Sequence, residues 1–186
     1  MSAMWPMPDP RRHYTVEEFA SLPMDRAHRY ELEEGRVIVS PRPARRHMLL
    51  IGDLHAQIRW QLPKSMLVFP EIDVDLHLSP PVVRIPDLCI TQADVLDLPG
   101  FTPAAKVLVA IEILSPGSFH TDTVVKPMEY ADAGIPYYWL IDPQPPVTAT
   151  LYTLVGENYE ESLRGEKTFD IDAPCPLRID LDALTP

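Results

Sequence analysis

The spacing of apolar residues predicts three helices. Over residues 44–62 the apolar positions recur at intervals of three and four, which is typical of a long amphipathic helix with one face against a core. A short helix is predicted after Thr15, because Thr15 and Glu18 have the spacing of a capping box. A third helical stretch is predicted over residues 118–133, with Gly134 as the residue that ends it.

Other segments predict strands at the start of the fold. Residues 29–32 and 37–39 flank a turn in which Gly35 can adopt a positive φ, so they predict a β-hairpin. Strict alternation of apolar and polar residues over 71–78 predicts a strand with one solvated face. We expect this strand to pair with residues 84–90.

The second half of the chain predicts the centre of a sheet. Residues 107–114 form an almost continuous apolar run, as expected for a central strand that is covered on both faces. Residues 137–141 predict another core strand, and residues 148–154 and 159–163 predict a second hairpin across Gly156. The order of these elements indicates an α/β sandwich around a mixed sheet.

Length and composition change this picture little. A chain of 186 residues can bury one core, so we expect one domain over residues 14–186 after an N-terminal tail of residues 1–13. No apolar run approaches the roughly 20 residues of a membrane-spanning helix, and the tail has no apolar signal-peptide stretch, which predicts a cytoplasmic protein. Cys89 and Cys175 lie far apart and are predicted to be buried free thiols.

The net charge of −11 argues against a general nucleic-acid binder. Binding of phosphates normally requires a surplus of lysine and arginine on the binding face. Two features weaken this objection: carboxylates that hold metal ions add to the negative charge, and Arg42, Arg45 and Arg46 form a local basic cluster.

Two carboxylates stand in predicted strands. Glu112 interrupts the apolar central strand, where an ionised side chain needs a cation or hydrogen bonds to compensate it. A structural ion pair, or a place at the exposed end of the strand, explains Glu112 as well as a functional site does. Asp87 follows Pro86 in the next predicted strand, and a Pro-Asp pair by itself is more typical of a turn or a strand end.

Three further charged residues are candidates with simpler interpretations. Asp122 and Lys126 are four residues apart, so on a helix they share one face, most often as a solvated ion pair. Pro127 disfavours helical geometry at Lys126 and removes a backbone donor, unless the helix begins nearby. Glu31 lies on the opposite strand face from its apolar neighbours, which predicts an exposed glutamate.

Histidines and aromatic residues predict no separate site. The histidines lack metal-ligand spacing and are predicted on helix surfaces, on strand surfaces or in loops; they include His47, His55, His77 and His120. The aromatic residues of the 137–141 strand are predicted to be core or dimer-contact residues, because their context is apolar. Neither a glycine-rich phosphate loop nor a GxSxG motif is present.

Several short segments, taken in order, carry a resemblance to a known family. They are Tyr14 to Phe19, Arg29 to Leu32 with Gly35, Pro86-Asp87-Leu88, Glu112-Ile113-Leu114-Ser115-Pro116, Asp122, Lys126, Tyr130, residues 133–136 and residues 138–142. On these segments, which cover nearly all of the chain from Tyr14 onward, the sequence resembles the Uma-type putative restriction endonuclease family of the PD-(D/E)xK nuclease superfamily. Each segment is short, but their common order makes a chance match improbable.

The resemblance implies a fold and a set of site residues. The fold is a restriction-endonuclease-like α/β sandwich with a mixed central β-sheet flanked by helices. The implied catalytic residues are Glu31, Asp87, Glu112 and Lys126, and the implied ligands of Mg²⁺, or of Mn²⁺ as a substitute, are Asp87, Glu112, the backbone carbonyl of Ile113, and Glu31. The superfamily places a lysine where this chain has Leu114, and Lys126 matches a lysine that has migrated to the following helix.

The implied activity is metal-dependent endonucleolytic cleavage of DNA, and a homodimer is expected. Arg45, Arg46 and His47 are candidates for substrate contact, because their charge and the start of the predicted helix both favour phosphate. Two other interpretations stay open. One is a catalytically weak or inactive binding or assembly module with Glu112 and Lys126 as a structural ion pair, which the net charge favours. The other, a glycosidase with two carboxylates, is supported only by the acids themselves.

Overall fold

The structure is a computed structural model that describes residues 8–25 and 27–184. Residues 1–7 of the predicted tail and the last two residues of the predicted domain lie outside the described residues. The helices of the described part are α1 (Val16–Ala20), α2 (Arg45–Arg59) and α3 (Lys126–Asp132), with a π-helical turn at Thr121–Val125 and 3₁₀ turns at Ala93–Asp97, Ala104–Lys106 and Asp182–Leu184. Its strands are β1 (His28–Glu33), β2 (Arg36–Pro41), β3 (Met66–Pro70), β4 (Val74–Asp75), β5 (Val83–Arg84), β6 (Leu88–Gln92), β7 (Thr102–Pro103), β8 (Val107–Ile113), β9 (Tyr137–Asp142), β10 (Thr148–Val155), β11 (Asn158–Glu166), β12 (Thr168–Ile171) and β13 (Leu177–Asp180).

A six-stranded sheet forms the centre of the fold, in the order β11-β10-β9-β8-β6-β3. Strands β8 and β9 run parallel, and the other neighbours run antiparallel. Strand β8 is interior because it is apolar toward both faces: Val109 and Ile111 belong to one core cluster, and Ala110 belongs to another. This arrangement confirms the predicted central strand and the predicted mixed sheet.

Helices cover both faces of this sheet. On one face α2 buries Leu54 and Ile58 in a core that also receives the β12–β13 hairpin. On the other face α3 buries Tyr130, whose ring packs against Tyr138 of β9 with 5.8 Å between centroids. Tyr138 and Trp139 are fully buried, as the core interpretation of these aromatic residues predicts. None of the described helices is long and apolar enough to cross a membrane.

A second, five-stranded sheet has the order β2-β1-β5-β4-β7. Its core contains Phe19 of α1, which packs with Tyr30 and Leu32 of β1. The predicted capping box of α1 is present: Thr15 accepts the backbone N–H of Glu18, and Glu18 accepts the backbone N–H of Thr15. The capped helix therefore closes the apolar face of β1 and leaves the opposite face of that strand for polar residues.

Both predicted hairpins are confirmed. The β1–β2 turn contains Glu34 with φ of 48° and Gly35 with φ of 79°, and two positive φ values in succession are what a type I′ hairpin turn requires. The β10–β11 turn contains Gly156 with φ of 64°. The first turn fixes the register in which β1 presents its polar face.

The strand predicted over residues 71–78 is wrong in length, and its predicted pairing with residues 84–90 is confirmed only at Arg84. Only Val74 and Asp75 join a sheet, where they pair with β5 and β7, and residues 88–92 pair instead with β3 and β8. Glu71 and His77 have φ of 47° and 54°, which breaks the extended chain on both sides. The apolar alternation reflects burial of single side chains from a loop, not a continuous ladder of hydrogen bonds.

The helix predicted over residues 118–133 is present, and Pro127 meets the exception expected for it, because α3 begins at Lys126. Lys126 has φ of −60° and ψ of −41°, which is regular helical geometry. The π-helical turn ends directly before Lys126, so Pro127 stands in the first turn of α3, where a missing backbone N–H is tolerated.

Two further points were not predicted correctly. Strands β3, β7, β12 and β13 were missed because they are short or lack a clear period. Cys89 is buried, as predicted, whereas Cys175 is only half-buried.

Candidate active site

A cleft of about 440 Å³ lies between the β1–β2 hairpin and the helical segment that carries α3. One wall consists of hairpin residues and the start of α2, and it includes Arg29 and His47. The other wall runs from Ser115 to Lys126 through the π-helical turn. The volume of the cleft is within the range of about 300–1,000 Å³ that is usual for small-ligand sites. The polar face of β1 and the inner face of α3 therefore border the same space.

Two buried carboxylates lie between these walls. Asp87 stands one residue before β6, not within a strand as predicted, and Glu112 belongs to β8. Antiparallel pairing of Leu88 with Ile111 brings the two acids to the same end of neighbouring strands. Asp87 Oδ2 accepts the backbone N–H of Ile113 at 2.8 Å, which fixes this carboxylate against β8. Asp87 and Glu112 are 3% and 1% exposed.

Cationic groups surround the carboxylate of Asp87. His47 Nε2 lies 3.0 Å from Asp87 Oδ2, and Arg29 Nη1 lies 3.3 Å from Asp87 Oδ1. Burial acts to raise the pKa of Asp87, but the hydrogen bond and charge of His47 lower it below its usual value. Burial likewise acts to lower the pKa of His47, and Asp87 raises it above the usual value. The two groups therefore favour a charged pair, and the prediction that His47 is a helix-surface histidine is wrong.

Glu112 has a different environment. Its Oε1 accepts the hydroxyl of Tyr130 at 2.9 Å and lies 2.9 Å from Lys126 Nζ. Burial raises the pKa of Glu112 to about 7; Lys126 opposes the shift, and the negative charge of Asp87 adds to it. A carboxyl group that titrates near neutral pH inside a cleft is a frequent property of functional sites.

Lys126 joins Glu112 to Asp122. Its Nζ lies 3.0 Å from Asp122 Oδ1, and both side chains are buried, so the solvated ion pair predicted for these residues is wrong. Burial acts to lower the pKa of Lys126, but Glu112 and Glu31 raise it above its usual value, so the ammonium group stays protonated. Asp122, Lys126 and Tyr130 are spaced by four residues, and this spacing presents all three on the inner helix face.

Glu31 is also buried, which contradicts its prediction as an exposed strand glutamate. It accepts the backbone N–H of Ile85 at 2.9 Å. Burial acts to raise the pKa of Glu31, but Lys126 and Arg29 lower it below its usual value. Alternation along β1 places Arg29, Glu31 and Glu33 on the face toward the cleft.

Arg84 forms a clasp at the edge of this site. Its Nε and Nη2 donate to the two carboxylate oxygens of Glu129, each at 2.7 Å, and Nη2 also donates to Glu33 at 2.9 Å. Nη1 lies 3.9 Å from Glu31. Because Glu129 stands three residues after Lys126 on α3, the clasp ties the lysine-bearing helix to β5.

The residues predicted to contact substrate divide into two groups. His47 lines the cleft, and so does Arg42, the third member of the predicted basic cluster. Arg45 and Arg46 are exposed and do not line it. Their place in the first turn of α2 explains the difference, because successive helix residues point about 100° apart.

Two arginines of the site were missed from the sequence. Arg29 could have been found from the position of Glu31, since residues two apart on a strand share a face. Arg84 carries no local signal, because its partners Glu129 and Glu33 lie 45 and 51 residues away in the chain.

The donor atoms of the cleft fit a hard cation. Within the described residues, no group of three or more histidine, cysteine, aspartate or glutamate side chains has the arrangement of a metal site. Mg²⁺ is commonly held by only one or two carboxylates together with water, and Asp87 and Glu112 provide two adjacent oxygen-donor groups of that kind. The raised pKa of Glu112 reflects a burial penalty and a repulsion that a cation would relieve.

Comparisons with known proteins agree with this fold. The chain matches the family model Uma2, described as a putative restriction endonuclease, over residues 16–182. It is similar to the crystal structure of a putative nuclease belonging to DUF820 from Anabaena variabilis, with 21% sequence identity, a TM-score of 0.66, and coverage of 91% of this chain and 96% of that chain. A comparison with curated proteins finds no match. The structural likeness confirms the predicted nuclease-type α/β fold, and the roles of individual residues stay predictions.

Proposed function

We propose, because this chain belongs to the Uma2 family of putative restriction endonucleases, that it is a metal-dependent endonuclease which hydrolyses phosphodiester bonds in DNA. Family membership confirms the resemblance that the sequence carries. The observation that best supports the proposal is the pair of buried carboxylates, Asp87 and Glu112, with Lys126 beside them in one cleft. Burying these charges costs stability, and such clusters of perturbed ionisable groups in a cleft are typical of active sites.

In this proposal Asp87, Glu112 and the backbone carbonyl of Ile113 hold Mg²⁺, for which Mn²⁺ can substitute, and Glu31 assists them. A bound divalent ion of this kind lowers the pKa of water and offsets negative charge on a phosphate. The N–H of Ile113 holds one oxygen of Asp87, and Tyr130 holds one oxygen of Glu112, so both carboxylates keep fixed orientations. Fixed donors of this kind reduce the reorganisation that a reaction requires.

Lys126 contributes the positive charge of the helix side. Its ammonium group is protonated and lies within hydrogen-bond distance of Glu112 and Asp122. With its remaining donor it orients a water molecule near the phosphate and offsets the charge that develops there. This role matches the migrated lysine of the family, since Leu114 stands where the superfamily motif has a lysine.

Plasmid nicking tests the proposal. Supercoiled DNA is incubated at low salt with Mg²⁺ or Mn²⁺ and with the wild type, Asp87→Asn, Glu112→Gln or Lys126→Met. Each variant is expected to lose about a hundredfold or more in nicking rate. Asp170→Asn is the matched control, because Asp170 is an exposed acid paired with the exposed Arg178. Nicking that persists in the three site variants at the rate of the control would contradict the assignment.

A second candidate is a binding or assembly module without catalysis. The contacts that favour it are the buried pairs of Lys126 with Glu112 and Asp122, which let the chain compensate these acids without a metal ion. Thermal unfolding with and without Mg²⁺ separates the two candidates. The nuclease proposal expects stabilisation by about 2.7 kcal/mol when Mg²⁺ is a hundredfold above its Kd, and no stabilisation of Asp87→Asn. An unchanged wild-type melting temperature would support the binding module.

The family resemblance also motivates the proposal that the protein forms a homodimer, and the cytoplasmic location expected from the sequence stays a prediction. Sedimentation equilibrium tests the homodimer, and a sedimenting mass near 21.1 kDa at micromolar concentration would contradict it.

A further inference from the structure

Arg29 has an unusual set of contacts for a buried arginine. Its Nη1 donates to Asp87 at 3.3 Å, which is a long hydrogen bond. Its Nε and Nη2 are buried and donate to no atom of the described residues. Buried polar atoms without a partner are rare, and each costs about 1–3 kcal/mol. The position of these two atoms beside the cleft therefore requires an explanation.

The two atoms form one edge of the guanidinium group. Arg84 shows what this edge can do, because the same two nitrogen atoms of Arg84 hold both oxygens of Glu129. An arginine edge of this kind matches a carboxylate or a phosphate that presents two oxygens. The edge of Arg29 thus has the geometry of an oxyanion-binding group.

The acids of the cleft are already engaged. Asp87 is held by His47 and the N–H of Ile113. Glu112 is held by Lys126 and Tyr130.

Glu31 and Arg84, which also line the cleft, are engaged as well. Glu31 accepts the N–H of Ile85, and Arg84 binds Glu129 and Glu33. The Nε and Nη2 atoms of Arg84 are thus occupied, whereas the same two atoms of Arg29 have no partner among the described residues and are left for a ligand.

We propose that Arg29 binds a phosphate group of the DNA substrate through its Nε and Nη2. This inference rests on the proposed function. It assigns the phosphate contact to Arg29, which lines the cleft, and not to the exposed Arg45 and Arg46. A phosphate that enters the cleft meets the negative charges of Asp87 and Glu112, so it requires a nearby cation with free donors. Both nitrogen atoms are shielded from solvent, and the ligand therefore reaches them by widening the cleft beside Arg29.

Equilibrium binding tests the proposal without catalysis. Fluorescence anisotropy with a labelled 12-nucleotide DNA, single-stranded and duplex, is measured at low salt in EDTA for the wild type and for Arg29→Lys. Lysine keeps the charge but cannot present two parallel donors. We expect about a tenfold rise in Kd for Arg29→Lys, as for the loss of one charge-assisted hydrogen bond. Arg178→Lys is the matched control, because Arg178 is exposed and pairs with the exposed Asp170, and it is expected to keep the wild-type Kd.

A second variant measures charge separately from geometry. Arg29→Met is expected to reduce the slope of log Kd against log salt by about one phosphate contact, whereas Arg29→Lys is expected to keep the slope. Circular dichroism and melting temperature establish that each variant is folded. If Arg29→Lys does not fold, the wild type is measured instead with DNAs that each carry one neutral methylphosphonate linkage. A Kd that is the same for every position of this linkage overturns the proposal.

The outcomes distinguish the two proposals. A wild type that binds DNA through Arg29 but never nicks it with any metal leaves this inference standing and overturns the nuclease. A wild type that nicks DNA, with folded Arg29→Lys equal to it in Kd and in rate, overturns this inference alone. Absence of wild-type binding to both DNA forms, or an equal loss of affinity in Arg178→Lys, also overturns it.

Discussion

Arg84 and Arg29 are two buried arginines on neighbouring strands with opposite surroundings. Arg84 is 1% exposed, and every nitrogen of its guanidinium faces a glutamate. The side chain of Arg29 is 14% exposed and makes one long hydrogen bond, and two of its buried nitrogen atoms have no partner among the described residues. Equal charge on neighbouring strands therefore does not imply an equal role. The satisfied arginine belongs to the framework, and the unsatisfied one belongs to the site.

The difference extends to the acids around each arginine. In the clasp, Arg84 donates hydrogen bonds to Glu129 and to Glu33, so each of these two carboxylates has a cation of the fold beside it. Asp87, Glu112 and Lys126 form the floor of the cleft. There, burial and the negative charge of Asp87 raise the pKa of Glu112 to about 7, although Lys126 opposes the shift. The acids of the clasp are hydrogen-bonded to an arginine, whereas the repulsion and burial penalty at Glu112 are relieved by binding a proton or a cation.

The largest effect is expected from breaking the clasp. Arg84→Met leaves Glu129 and Glu33 without their cation, and removing one partner of a buried ion pair costs about 3–5 kcal/mol. Urea unfolding measures the loss in the free energy of unfolding. Arg178→Met is the control, because its pair with Asp170 is exposed and is expected to contribute within about 0.5 kcal/mol. Equal stability of the two variants would show that the clasp does not support the fold.

An intermediate effect is expected from pH, and it tests the cleft floor. The pKa of Glu112 is raised to about 7 in the folded protein from an ordinary value of 4.5, so the folded state binds this proton more tightly than the unfolded state. The stability from Glu112 is therefore complete below pH 4.5 and is lost as the pH rises through 7. Relative to Glu112→Gln, the wild type should lose at most about 3 kcal/mol over this interval.

Urea unfolding of both proteins between pH 4.5 and 8.5 measures this difference. His47 is present in both proteins, so its titration contributes similarly to each curve. Parallel curves across the interval would mean that Glu112 stays ionised and that Lys126 compensates it fully. In that case Glu112 would be compensated as the acids of the clasp are, and the comparison between the two regions would fail.

The sequence predicts the framework better than it predicts the contacts. The capping box at Thr15, the I′ turn at Gly35 and the apolar run of β8 are local signals, and each is confirmed. The alternation over residues 71–78 predicts a strand that is too long, because it indicates only which side chains are buried and not whether the backbone pairs with another strand. Positive φ values at Glu71 and His77 break the strand there without disturbing that pattern.

The candidate site shows the same limit. The structure brings Asp87, Glu112 and Lys126 together, as the resemblance implies, although their catalytic roles stay predictions. Sequence alone could not give the contact of Glu31 with Ile85 or the contact of His47 with Asp87, because each joins residues that are far apart in the chain. Arg29 and Asp87 are 58 residues apart, so only the folded chain shows their pairing.

The smallest effect is expected from replacing the two arginines by lysine. Arg84→Lys keeps the charge but loses the paired hydrogen bonds to Glu129, at a cost of about 2 kcal/mol. Arg29→Lys keeps a charge beside Asp87 and removes two donors that have no partner, so we expect a loss below about 1 kcal/mol. Urea unfolding of both variants at pH 7 measures the difference. If Arg29→Lys costs as much as Arg84→Lys, the edge of Arg29 is satisfied within the folded chain, and Arg29 belongs to the framework.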